Sequence, residues 1–178
     1  MATFQMVSTS DGAFDEIYEA LARSYPDACV CSLDRVSNPA LELRFEARKA
    51  AMEQAGLPVR VMRLFHGTLP ENVRGIADLG FLSSKNVASA YGRGTYFARD
   101  AKMSSKYAEI DHANEMSYMF VCDVLMGRLA RGSCNAVLKT SEFDNFVDSL
   151  KDPKIVVTPH DDGALPRYLV AFHKNARQ

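Results

Sequence analysis

Apolar side chains at Phe14, Ile17, Tyr18, Leu21 and Tyr25 recur at the three- and four-residue steps of one helix face, which predicts a helix from about Gly12 to Tyr25. Ser10 or Asp11 stands where its cap belongs, and Pro26-Asp27 breaks the run. Residues 1–9 carry no such period and read as a loose leader. Ala28 to Val36 alternates as a half-buried strand does. Asn38-Pro39 then pairs a capping amide with a proline at the first helical position, and the helix it opens runs to Gly56, a fitting residue just past a helix end. Its many Glu, Arg and Lys residues form a solvated face. Val59 to His66 is an apolar strand suited to the middle of a sheet, and Pro70 opens a helix over Glu71 to Leu79 that Gly80 ends. Phe81 to Ala90 is a loop of small and polar residues.

Gly92-Arg93-Gly94 opens a further strand carrying Tyr96, and Asp100 sits where an N-cap belongs. The helix after it presents Ser104 and Tyr107 about one turn apart on one face. Met116 to Arg128 alternates as one long strand. Signals are weak from Leu129 to Lys151, with a turn at Gly132-Ser133-Cys134-Asn135 and a helix or loop over Ser141 to Leu150. Two β-rich arms, Asp152 to Thr158 and Leu165 to Phe172, flank His160-Asp161-Asp162-Gly163 and predict a hairpin. The chain is therefore expected to be α+β.

At 178 residues it is expected to be one domain with a sizeable core, and 47% apolar with 24% charged residues is ordinary for a water-soluble fold. A net charge of −1 gives no general reason to bind nucleic acid or an anionic membrane. No apolar run approaches membrane-spanning length, and the N-terminus lacks a secretory signal. Four cysteines without framework spacing imply reduced thiols and an intracellular setting, cytoplasmic or nuclear. Cys29-x-Cys31 is better explained as two positions on one strand face than as a metal motif, and Asp111 to Glu115 as a polar loop. Asp161-Asp162 is read as turn chemistry rather than an acid/base pair. No metal site is expected.

The candidate chemistry lies between Leu64 and Tyr107. Two strand ends and a helix would gather an imidazole (His66), phenol rings (Tyr96, Tyr107), a hydroxyl (Ser104) and a bare glycine backbone (Gly67). That set suits a flat aromatic amide: rings to stack on, a free N–H and C=O to pair with it, a hydroxyl to complete the pairing.

His66-Gly67-Thr68, then Tyr91-Gly92-Arg93-Gly94-Thr95-Tyr96-Phe97-Ala98, then Ser104 and Tyr107 closely resemble the catalytic domain of the poly(ADP-ribose) polymerase-like (diphtheria-toxin-like) ADP-ribosyltransferases. The order and the eleven-residue step from Tyr96 to Tyr107 carry the resemblance, which covers essentially the whole chain. It implies two packed, mostly antiparallel sheets, a split β-sandwich, with flanking helices, and no counterpart of the family's helical regulatory domain. It implies NAD as donor substrate, bound around His66, Gly67, Thr68, Tyr91, Tyr96, Phe97, Ala98, Ser104 and Tyr107. In that scheme His66 holds the adenine-ribose hydroxyls and Gly67 the nicotinamide amide. Ser104 donates to the carboxamide oxygen, Tyr107 stacks on the ring, and Tyr96 lines the opposite side. Residues 81–90 take the place of the loop that folds over the donor.

The resemblance also implies a third signature position, where polymer-forming members carry glutamate. Ile155 occupies it here, and a one-residue slip would substitute Lys154 or Val156. None is an acid, so the acceptor hydroxyl of a growing chain would find no base. The expected activity is transfer of one ADP-ribose to an acceptor, most simply a protein side chain or the enzyme itself, by a monomer. The rival reading is a silent NAD-binding or protein-interaction module of the same fold. Transfer to a nucleic-acid end gains little support from the net charge.

Overall fold

The computed structural model describes residues 1–85 and 90–174. The chain opens on strand β1 (Thr3–Met6), a correction to the expected loose leader. This strand lies at the sheet edge with only Phe4 turned toward the core, so it shows no period in the sequence. Helix α1 (Gly12–Ser24) is capped by the Asp11 carboxylate, which accepts from the Ala13 N–H. Strand β2 (Cys29–Ser37) pairs with β1. Helix α2 (Pro39–Gln54) starts at Asn38, whose side-chain oxygen accepts from the Ala40 and Leu41 N–H groups. The same amide donates to the Ala77 and Asp78 carbonyls at 3.0 Å each, tying the start of α2 to the helix that follows β3.

Strand β3 (Arg60–Thr68) leads through a 3₁₀ turn over residues 70–72 into α3 (Val73–Leu79). Strand β4 (Thr95–Ala98) follows, then α4 (Ala101–Ser104), one turn that tightens into a 3₁₀ turn ending at Tyr107. Asp100 has the extended backbone of a cap, but its side chain makes no capping bond; the Ser24 hydroxyl of α1 accepts from the Ala101 N–H instead, at 2.9 Å. The short β5 (Ile110–Asp111) turns back into β6 (Met116–Met126). Then come β7 (Leu129–Arg131), β8 (Asn145–Val147), β9 (Ile155–Thr158) and β10 (Ala164–His173).

Two further expectations are corrected. The weak segment from Ser141 to Leu150 holds strand β8, which pairs in parallel with β7; three residues held by distant partners leave no local pattern. The two C-terminal arms do not pair with each other. Strand β9 pairs with β4 and β8, and β10 lies between β2 and β6. The Asp-Asp-Gly segment is still a turn, closed by the Gly163 N–H on the His160 carbonyl at 3.0 Å, but it carries the chain from one part of the sheet to the other.

The strands run in the order β1-β2-β10-β6-β3-β4-β9-β8-β7, with β5 on β6, and all neighbours except β7 and β8 are antiparallel. This is the α+β architecture the sequence implies. Its split is visible at one place: β3 matches β6 through nine residue pairs but meets β4 only at Phe65 opposite Ala98. The five-strand slab from β1 to β3 and the four-strand slab from β4 to β7 share a core that includes Leu64, Phe97, Phe120 and Val156. Helix α1 covers Phe65, Met119, Val170 and Phe172, and α2 covers Leu125 and Leu165.

Candidate active site

A cleft of about 220 Å³ opens where β3 and β4 part, bordered also by α4 and the start of β9. His66, Gly67, Thr68, Tyr96, Phe97, Ala98, Ser104, Tyr107 and Ile155 all line it, so two strand ends and a helix bring together residues far apart in sequence. Tyr91 is the one expected residue that does not line the cleft. It packs beside Leu138 and Phe146, and its N–H donates to the Tyr96 hydroxyl at 3.0 Å, a scaffold role behind the cleft.

His66 stands on β3 with one ring nitrogen committed. Nδ1 lies 2.8 Å from the Tyr96 carbonyl, an acceptor only, so Nδ1 carries the hydrogen and Nε2 of the neutral ring accepts. Burial lowers the imidazole pKa below 6.5, against the opposing pull of that carbonyl. Phe81 and Phe97 hold the ring from two sides, with centroids 4.9 and 5.5 Å away. The ring is thus fixed in orientation and tautomer. Because a proton on Nε2 would turn that acceptor into a donor, binding of a hydroxyl-bearing donor there is expected to be constant at neutral and alkaline pH and to weaken only as pH falls through the lowered imidazole pKa. Stability carries the same sign. The folded protein binds fewer protons at His66 than the unfolded chain, so this contribution is complete above the unfolded pKa and is lost as pH falls from there. Calorimetry of NAD, which carries such hydroxyls, across pH 5 to 8, with melting curves beside it, measures both; affinity that rises on acidification would contradict the assignment.

Gly67 serves two purposes. A Cβ there would collide with the Ser104 carbonyl oxygen, so glycine is what lets β3 and α4 pack backbone to backbone. The second purpose follows from strand geometry. The Phe65 carbonyl accepts from the Ser104 hydroxyl at 2.9 Å, which shows that Phe65 turns its main-chain groups away from β6. Two residues on, Gly67 turns its N–H and C=O the same way, into the gap β4 has left. A donor and an acceptor on one residue, side by side, are the complement of a primary amide.

Ser104 is buried, and its hydroxyl hydrogen is already given to Phe65. To donate to a ligand carboxamide the hydroxyl must rotate away from that carbonyl, a rearrangement the sequence does not reveal. Tyr107, 62% exposed, stands at the mouth with its ring available to stack. Tyr96 presents its ring to the cleft while its hydroxyl donates to the Gly92 carbonyl at 2.7 Å, and burial raises its pKa. Its phenol ties down the Gly92-Arg93-Gly94 segment. Gly94, at φ 147°, brings that segment against the Thr158 carbonyl of β9.

Of the three residues that could stand at the third signature position, Ile155 is the one that reaches the cleft. It lines the cleft opposite Ala98, whereas Val156 is fully buried in the core and Lys154 faces solvent. Asp148 fixes this register, one carboxylate oxygen accepting from the Lys154 and Ile155 N–H groups at 2.9 and 3.0 Å. Leu69, Asn72 and Met103 also line the cleft without having been singled out in the sequence. Met103 could have been found from its four-residue step to Tyr107; nothing local marks Leu69 or Asn72.

A second cavity of about 160 Å³ adjoins the first at His66, Thr68 and Asn72 and runs beneath Ile76 and Phe81 to Lys85. Residues 86–89 of the expected donor-side loop lie outside the described residues. Among the described residues no group of three or more His, Cys, Asp or Glu is placed to hold a metal ion. Asp111 to Glu115 is instead the tight turn between β5 and β6, its Asp111 carboxylate accepting from the Ala113 N–H. Asp161 and Asp162 likewise make structural bonds, to the Ser83 N–H at 2.8 Å and to Arg48 at 3.4 Å.

A cleft that offers an amide-pairing strand edge, an exposed stacking ring and a fixed imidazole accords with a family match. The model of the poly(ADP-ribose) polymerase catalytic domain fits residues 13–170, and the chain belongs to that family. Among its relatives, protein mono-ADP-ribosyltransferase PARP12 of Mus musculus is 29% identical over 182 residues, spanning 96% of this chain and 25% of that protein. Protein mono-ADP-ribosyltransferase PARP14 of Homo sapiens is 30% identical over 178 residues, 90% of this chain and 10% of that protein. A probable poly(ADP-ribose) polymerase of Dictyostelium discoideum is 29% identical over 154 residues, 82% of this chain and 44% of that one. The chain spans less than half the length of each of these three relatives.

Proposed function

We propose that this chain transfers a single ADP-ribose unit from NAD to a protein side chain, its own or another's, and releases nicotinamide. The observation that carries the proposal is the gathering of His66, Gly67, Tyr96 and Ile155 in one cleft. Relatives named as mono-ADP-ribosyltransferases over most of this chain support it.

In this reading the nicotinamide carboxamide pairs with the N–H and C=O of Gly67, and its ring lies against Tyr107. Nε2 of His66 accepts from a hydroxyl of the adenosine half, which extends toward the adjoining cavity and Lys85. Transfer breaks the bond between the nicotinamide nitrogen and the ribose carbon; the electron pair leaves with nicotinamide, and an acceptor oxygen bonds to that carbon. Positive charge develops on the ribose as the bond breaks, and holding both halves of the donor is what the pocket contributes. Ile155 can neither accept a hydrogen bond nor take a proton. An acceptor carboxylate arrives without a proton to lose and needs no base. A ribose hydroxyl does need one, so a second unit is not added.

Incubation of the purified chain with labelled NAD, followed by intact-mass analysis, is expected to show increments of one ADP-ribose per site and no ladder. A ladder would overturn the single-unit assignment, and the absence of any label would favour a silent module. We place the protein inside the cell, as a monomer. Cys29, Cys31, Cys122 and Cys134 are all free thiols, which supports a reducing compartment. Among the described residues no helix is long and apolar enough to cross a membrane.

A further inference from the structure

Outside the cleft, a recess of about 670 Å³ lies between one face of α2 and the segments around Arg128, Thr140 and the turn at His160 to Asp162. Its volume is that of a small-molecule site. Met52 and Leu57 give it an apolar floor, and three guanidinium groups surround it: Arg44 and Arg48, one turn apart on α2, and Arg128 across from them.

Their charges are unequally spent. Arg128 is fully engaged, donating to the Asp144 carboxylate through Nε at 3.0 Å and Nη2 at 3.3 Å, and to the Ser141 carbonyl through Nη1 at 2.9 Å. Burial would raise the Asp144 pKa, but the Arg128 bonds outweigh it and hold that carboxyl below its usual range. Arg48 sits 3.4 Å from Asp162 as an ion pair and makes no hydrogen bond among the described residues. Arg44 is exposed and has neither an ion-pair nor a hydrogen-bond partner among them. Three arginines against two aspartates leave one positive charge over, that of Arg44, while Arg48 keeps donors beyond its one contact with Asp162. His160, which also lines the recess, has a buried Nε2 that nothing in the described residues satisfies.

We propose that this recess binds a small phosphate-bearing ligand, gripped by Arg44 and Arg48. Guanidinium groups match phosphate oxygens two at a time, and an anion there cancels the surplus charge while its organic part covers Met52 and Leu57. The site is distinct from the donor cleft, but the two are joined by one turn: Asp162 pairs with Arg48, and Asp161 beside it accepts from Ser83 next to the second cavity.

The test is a titration of the full chain with inorganic pyrophosphate at low salt, followed by calorimetry and amide NMR. Saturable binding is expected, with shifts centred on Arg48 and residues 160–162. Arg44→Glu is expected to weaken it at least about tenfold, while Lys49→Glu, the same charge change on the same helix outside the recess, costs less than about twofold. Melting curves check that each variant folds, and Arg44→Ala replaces Arg44→Glu if the latter does not. The assignment is overturned by no saturable binding at about 10 mM, by shifts confined to the donor cleft, or by equal weakening in the Lys49 variant, which would mean bulk charge only. A phosphoserine peptide that binds more than about tenfold tighter than pyrophosphate would also overturn it, by making a protein-borne phosphate the occupant. None of these readouts depends on NAD turnover.

Discussion

His66→Ala is expected to reduce ADP-ribose labelling by at least about a hundredfold, a loss of roughly 2.7 kcal/mol in transition-state binding. The imidazole does two things that alanine cannot. Its Nδ1–H closes the gap to the Tyr96 carbonyl, and that bond leaves Nε2 as a fixed acceptor at the junction of the two cavities. Without the ring, the donor loses a positioned partner and the Tyr96 strand loses a bridge to β3. Glutamine, which can keep one of these bonds, is expected to retain more activity than alanine. The measurement is initial labelling rate against NAD concentration, with a melting curve on each variant. A folded His66→Ala protein that labels within threefold of the parent would remove His66 from the site.

Gly67→Ala is expected to be a structural lesion first and a functional one second. The added methyl group would meet the Ser104 carbonyl, so α4 must move off β3 or the strand must bend. Overpacking of this kind costs about 1–3 kcal/mol, which in a domain of this size lowers the melting temperature by roughly 2–4 °C for each kcal/mol. Both rigid walls of the amide slot move together, so binding of a benzamide-type probe should vanish even where the protein stays folded. Calorimetric unfolding and probe binding test this in one preparation. An unchanged melting temperature would show that α4 yields freely and that the close packing does not require glycine here.

These two residues also show what the sequence discloses and what it withholds. The helices α1 and α2 were legible because their apolar spacing and their caps, Asp11 and Asn38, agree. The long central strands were legible from their apolar runs, which are buried on both faces along most of β6 and, His66 apart, over the last five residues of β3. Strand β8 was not, because three residues whose partners are distant produce no period; nor was the mispairing of the C-terminal arms, since a turn signal says where a chain reverses but not whom the arms meet. The cleft was legible through ordered motifs, and one of their residues stands outside its lining. Tyr91 lies between Ala90 and Gly92 in the right stretch, yet its backbone turns it to the core beside Phe146. Contacts between elements stayed hidden: the Ser104 hydroxyl on Phe65, the Ser24 hydroxyl capping α4, and the Asp148 carboxylate that sets Ile155. Each depends on a tertiary neighbour that no local pattern encodes.

The meeting of Phe65 and Ala98 bears on more than chemistry. Among the described residues one strand pair, Phe65 with Ala98, joins β3 to β4, and the cleft sits beside it, walled by residues of both slabs. Whatever lodges there acts as mortar, fastening the halves more firmly than the chain alone does. Occupancy therefore reaches the mechanical integrity of the whole domain, and an inhibitor of this site is at the same time a brace.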